Sequence, residues 1–259
     1  MRVLFRSALG ALLLASAAAA AEVIEPSDDA LALLREAVAN SRARLQPDPE
    51  RPLEFLQRVE SDNGKVLRRQ LRRVDERLPP AERVVLVSID DQPPDAEQLE
   101  TFHKQRQRDR EQRGSDKDRR VSISFEEFDL SGARLLTERD GRPVYEVPNA
   151  VRSMIGESNA AMAEHLRMEV EVEPDSQHGP YLTRLLLEST QAFKPGLIGK
   201  VQQFRMQTAL LLHDSGRLVF DRMDVDVEAR AMFNDIERRE RVVFSDYRVH
   251  PSTGGVSAD

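Results

Sequence analysis

Gly156, Glu157, Ser158, Asn159 and Ala160 come closest to a catalytic motif in this chain, because they approximate the G-x-S-x-G turn that presents a serine nucleophile. A base would have to come from His213 or His250 downstream. That turn also needs a buried strand before it and a parallel sheet around it, whereas the alternation in this chain is of the antiparallel kind. An envelope hydrolase using Ser158 is therefore the least favoured function. Gly196, Gly199 and Lys200 hint at a phosphate loop, but Lys194 stands where its first glycine belongs and Val201 replaces the required Ser or Thr. Asp224, Asp226 and Glu228 offer carboxylates to a hard cation. Alternate residues of a strand lie about 7 Å apart in a row, which describes a solvated face and not a cage. The five histidines form no H-x-x-H or H-E-x-x-H pair. The chain has no cysteine, so disulfides, zinc-thiolate sites, a cysteine nucleophile and a lipid-modified cysteine are all excluded. No catalytic residue, metal site or cofactor is expected, and the chain reads as a non-enzyme.

The elements that would position any site are mostly strands. Leu166, Met168, Val170 and Val172 alternate with Arg167, Glu169, Glu171 and Glu173, which sets an apolar face against a charged one. Turn signals at 174–180, 194–196, 213–216 and 234–235 divide 166–248 into about five strands of eight to ten residues each. The third carries Phe204, Met206, Thr208, Leu210 and Leu212 on one face, and the fourth Val219, Met223, Val225 and Val227. A long one-sided sheet must curl or be covered.

At the N-terminus Arg2 and Arg6 precede an apolar run over 8–15 and small residues to Ala21, the pattern of a secretory signal peptide cut after 21. No stretch is long and apolar enough to span a bilayer, so a soluble periplasmic protein is expected. The chain carries a formal charge of −7, and its arginines are not interleaved with aromatics, so nucleic acid is an unsuitable partner. Residues 22–251 are expected to form a single β-rich domain with a charged insertion at about 95–120, and 252–259 a flexible tail.

Ser27 or Asp28 opens a helix over 30–44, with Leu31, Leu34, Ala37 and Val38 on one stripe. Leu67, Leu71, Val74 and Leu78 have helical spacing, yet Gly64 and the prolines at 79 and 80 favour a hairpin strand, which is the reading adopted. Val84, Val85, Leu86, Val87 and Ile89 make a compact strand. Asp95 and Gln98 form a capping box ahead of Leu99 and Phe102. The stretch 104–120 then mixes both charge signs with no apolar face, as expected for a solvated helix extension or an irregular loop; a basic arm that docks on anionic lipid or an acidic partner is the functional alternative. Val121, Ile123 and Phe125 alternate as a strand, Leu135 to Thr137 suits a hairpin with 144–147 across Asp140 and Gly141, and 149–165 suits a short helix or a loop.

Taken together the signal, the early amphipathic helix, the series of long antiparallel strands and the closing run Val243, Phe244, Ser245, Asp246, Tyr247, Arg248 resemble the periplasmic superfamily of LolA-type outer-membrane lipoprotein carriers and their regulator-like relatives. The resemblance is architectural and spans most of the chain. It implies a mainly β fold, a long curved antiparallel half-barrel with a few covering helices, whose hydrophobic cavity holds acyl chains. The arginine-rich insertion and the absence of Trp depart from that pattern. Phe204, Met206, Leu210, Leu212, Val225 and Val227 are the expected ligand-binding residues, with a lipid or lipidated protein as the partner. The alternative is a structural or regulatory envelope protein whose sheet is filled by its own side chains.

Overall fold

Every second residue of Leu166–Glu173 is apolar, and those residues, Leu166, Met168, Val170 and Val172, are all buried on one face of a sheet that extends to both sides of the strand. The computed structural model describes residues 28–113, 128–155, 160–174, 176–194, 199–231 and 234–251. In chain order the elements are α1 (Asp28–Leu45), β1 (Leu53–Asp62), β2 (Leu67–Asp75), β3 (Val84–Ile89), α2 (Ala96–Arg113), β4 (Arg134–Arg139), β5 (Arg142–Glu146), α3 (Pro148–Ile155), α4 (Ala160–Ala163), β6 (Leu166–Glu173), β7 (Tyr181–Ser189), β8 (Gly199–Leu212), β9 (Leu218–Ala231) and β10 (Asn234–Val249). All ten strands join one antiparallel sheet in the order β3-β2-β1-β10-β9-β8-β7-β6-β5-β4. It is mostly β and not closed into a barrel, with β3 and β4 at its two edges among the described residues.

Nearly every junction is a sequential hairpin; the exception is β10, which returns to pair with β1 and so joins the N-terminal strands to the rest. That pairing carries a bulge opposite Phe55, where Asp246 takes a left-handed backbone (φ 55°). Strands β8, β9 and β10 have 14, 14 and 16 residues and exceed the expected eight to ten. Their added length is largely polar and exposed, as at Glu237, Arg238 and Arg239, so apolar alternation did not mark it.

Residues 67–75 form β2, as the hairpin reading required, and β4 pairs with β5 with Leu135 opposite Tyr145. The capping box of α2 is formed reciprocally: Gln98 N–H donates to Asp95 Oδ1 at 2.8 Å and Asp95 N–H to Gln98 Oε1 at 3.0 Å. The helix continues to Arg113 despite having no apolar stripe. The region 149–165 holds α3 and α4. One assignment of face changes. A bulge between Ala209 and Leu210 sets Leu210 opposite Phe220 and Leu211 opposite Val219, so Phe220 joins the face of Met223 and Val225 while Val219 lies on the other. The expected signal segment, the strand at 121–125, Ser158 and the C-terminal tail lie outside the described residues.

Candidate ligand-binding face

Antiparallel partners share a face, so register alone assembles the inner face of the sheet. One row crosses all ten strands: Leu135, Tyr145, Val170, Leu185, Thr208, Met223, Val242, Val59, Gln70 and Ile89 are successive direct partners. At about 4.8 Å per strand this belt is on the order of 40 Å long. A second row runs Met168, Leu187, Met206, Val225, Glu240, Ser61, Arg68, apolar at one end and polar at the other.

Helix α1 lies against β6 and β7 and also reaches β9. Leu34, Ala37 and Val38 are buried in one cluster with Met168, Val170, Leu185, Leu187 and Met206. Polar contacts fix the helix there. Tyr145 donates from its hydroxyl to the Ala30 carbonyl (3.0 Å), and Leu182 N–H, beside a bulge in β7, donates to the buried Ser41 Oγ (2.8 Å). Arg44 donates to the carbonyls of Gly216 (2.9 Å) and His178 (2.7 Å) in two different turns. Burial of the phenol pushes the Tyr145 hydroxyl above its ordinary pKa.

The six expected ligand-binding residues lie on this inner face, but in two environments. Met206 and Leu210, 7% and 6% exposed, are part of the filled core, with Leu212 packed against it. Phe204 and Val227 are direct partners, as are Met206 and Val225, and Phe204, Val225 and Val227 remain half-buried. Met223 and Val242 beside them are half-buried too, whereas Thr208 and Val59 on either side are buried. The accessible part of the belt is therefore the stretch over β9 and β10. An aromatic group bounds it on one side: Phe220 and Phe244 (5.6 Å between centroids), Phe55 and Tyr247 (4.9 Å), with Tyr247 donating to the Phe220 carbonyl at 2.6 Å. On the other side Arg238 pairs with Glu240 at 2.9 Å.

Past β1 the belt runs under α2. A groove of about 870 Å³ opens there, with buried Val74, Leu86 and Phe102 among its walls and Arg68, Arg72 and Arg106 at its rim. The guanidinium carbons of Arg72 and Arg106 stand 5.6 and 5.9 Å from the centroid of the Phe102 ring. The strand periodicity of Arg68, Gln70, Arg72 and Val74 was the available signal for this site. Its pairing with β1, and that of β1 with β10, was not.

The other motif-like residues find structural places. Asp224 and Asp226 lie on the outer face, where Asp224 accepts from Arg241 Nε at 2.7 Å and Arg239 Nε stands 3.7 Å from Asp226. Glu228 lies opposite Gln203 and Glu237. Among the described residues no group of His, Asp and Glu is placed to hold a metal ion. Lys200 is in β8, His213 shapes the β8–β9 turn with Nδ1 3.0 Å from Ser215 Oγ, and His250 lies 3.4 Å from Glu54 beyond β10. The described element before Ser158 in the chain is helix α3, not a strand, and the sheet is antiparallel among the described residues, so neither requirement of a nucleophile elbow is met.

No protein-family profile matches the chain, and no curated protein is significantly similar to it. Among solved structures the chain is similar to the LolA superfamily protein NE2245 from Nitrosomonas europaea, with 11% identity and a TM-score of 0.34 over 83% of this chain and 93% of that one. Among the described residues no helix is long and apolar enough to cross a membrane.

Proposed function

We propose that the protein is a soluble, non-enzymatic binding protein of the periplasm, whose inner sheet face receives an acyl chain or the lipid moiety of a partner and releases it again in the manner of a carrier. The observation that carries this reading is the belt of direct cross-strand partners, buried from Tyr145 to Thr208 and again at Val59, and half-buried between them at Met223 and Val242. A strip with filled core on one side and a helix-covered groove on the other has the shape of a chain-binding track, not of a reaction centre. An acyl chain of about fourteen carbons gains roughly 11 kcal/mol gross at about 0.8 kcal/mol per methylene. Association and ordering cost about 4 to 15 kcal/mol, so affinity near or weaker than micromolar follows, suited to release.

A second reading has its own support. Met206 and Leu210 are already packed under α1, and a sheet filled in this way along its whole length would serve a structural or regulatory protein. The native mass of the full chain expressed with its leader and taken from the periplasmic fraction, together with a lipid extract of it, separates the two. A lipid adduct on a chain that starts near Glu22 is the expected result; a bare chain favours the filled core.

A further inference from the structure

We propose that the acyl chain lies lengthwise on the inner face along β9, with its methyl end against the aromatic group of Phe220 and Phe244 and its polar head in water at the β9–β10 turn. The ligand is then a single-chain amphiphile held tail inward, whose head group stays outside the site. This inference rests on the acyl-binding reading above and adds the class of ligand and its orientation.

The first support is the outline of the accessible strip. Across the strands it is narrow: Thr208 of β8 and Val59 of β1 are buried, and Met223 and Val242 between them are half-buried. Neighbouring strands at about 4.8 Å make this width roughly 10 Å, too short for the acyl chain considered above. Along β9 the strip is long. Met223, Val225, Val227 and Ala229 take alternate positions on the inner face, and all four are half-buried. From 223 to 229 a rise of about 3.4 Å per residue gives about 20 Å, on the scale of an extended acyl chain.

The second support is the grading of burial along the strands. Toward the β8–β9 turn the face closes: Phe244 lies 5.6 Å from Phe220 and 6.2 Å from Phe55 between ring centroids, and Leu218, further along β9, is buried. Tyr247, the hydroxyl-bearing member of that group, already donates to the Phe220 carbonyl at 2.6 Å. In the opposite direction the face opens, since Arg238, opposite Val227, is exposed and Ile236, opposite Ala229, is 45% exposed. A methyl end enters the closed end without cost. A polar head there would lose its water and find only apolar rings.

The third support is the chemistry beside the open end. Arg238 and Glu240, direct partners of Val227 and Val225, pair with each other at 2.9 Å. A self-neutralised, hydrated pair favours neither sign of head group. Selection at this strip therefore falls on the chain.

The test uses the absence of tryptophan from the sequence. Ile236→Trp and Phe244→Trp each put one fluorophore at an end of the strip, about 27 Å apart along β10 at about 3.4 Å per residue. The delipidated full-length variants are titrated with stearate carrying a nitroxide quencher near its carboxylate or near its methyl end. Urea midpoints confirm folding, and Phe220→Trp takes the place of Phe244→Trp if that variant is destabilised. Comparing two probes within one variant cancels any loss of affinity the substitution brings. Emission of Phe244→Trp should be quenched several-fold more by the methyl-end probe, and that of Ile236→Trp several-fold more by the carboxylate-end probe. The reverse order overturns the orientation, and equal quenching by the two probes in both variants overturns the lengthwise placement. Either result leaves the acyl reading standing, because quenching itself reports binding. Absence of quenching overturns the placement, and it overturns the acyl reading too when wild type also fails to bind a fluorescent fatty acid.

Discussion

Glu76 receives both terminal nitrogens of Arg217, at 2.8 and 3.2 Å, across 141 residues of chain. The same carboxylate accepts the Leu53 N–H at 2.9 Å, and Arg217 also reaches the Arg51 carbonyl at 3.4 Å. The pair thereby ties the start of β1 to the β8–β9 turn, which Arg44 in the last turn of α1 also reaches. With side chains only 17% and 8% exposed, it is a buried ion pair, and Glu76→Gln leaves the Arg217 charge uncompensated. We expect a loss of about 3 to 5 kcal/mol, read as a lower urea midpoint at unchanged slope. The fully exposed pair Arg230–Asp235 is the contrast: Asp235→Asn should leave the midpoint where it is.

Thr208 stands in the middle of the apolar belt between Leu185 and Met223, fully buried, and its hydroxyl has no hydrogen-bond partner among the described residues. A buried donor left unpaired costs about 1 to 3 kcal/mol. Thr208→Val keeps the shape and removes the group, so the variant should be more stable than wild type by about 1 kcal/mol, measured by the same denaturation. A destabilised variant would mean that the hydroxyl has a partner.

All three tyrosines, Tyr145, Tyr181 and Tyr247, have their phenols raised above the ordinary value, in each case chiefly by burial. A raised folded pKa favours the neutral form, so this contribution to stability is complete below about pH 10, where the unfolded phenols titrate, and is lost as pH rises toward the folded values. Phenolate absorbance of the native chain should lag that of the urea-unfolded chain above about pH 10. Coincident curves would contradict the burial of the three rings.

Much of the fold was legible because local rules were obeyed. Period-two alternation marked β6, a charge-free run marked β3, and Asp95 with Gln98 marked the start of α2. Val219 was misassigned because a bulge changes face without changing composition. The belt itself was half legible: Thr208 and Met223 follow from alternation within β8 and β9. Their continuation into Val242 and Val59 depends on a pairing across 183 residues of sequence, which no local pattern encodes. Arg72 and Arg106 are single arginines in an arginine-rich chain, and only their convergence on Phe102 distinguishes them.

Helix α2 has Phe102 as its buried anchor, and its following residues are mostly exposed. Brief trypsin treatment should cut first within 104–113, while 166–231 resists. Phe102→Ala removes the anchor and should speed that cleavage severalfold, because a helix without an apolar stripe has little else to hold it on the sheet. Uniform cleavage rates in the two proteins would show that α2 docks by other contacts.

The central claim is that the half-buried stretch over β9 and β10 accepts an acyl chain, and neighbouring residues on opposite faces allow the most direct test. Val227 is half-buried opposite Phe204, and Glu228 is exposed on the outer face. The full chain, delipidated and shown by circular dichroism to be folded, is titrated with a fluorescent fatty acid alongside Val227→Gln and Glu228→Gln. Wild type should bind at about micromolar affinity, Val227→Gln roughly tenfold more weakly because an amide stands in the path of the chain, and Glu228→Gln as wild type does. No binding by wild type, or equal affinity in the two variants, would contradict the claim.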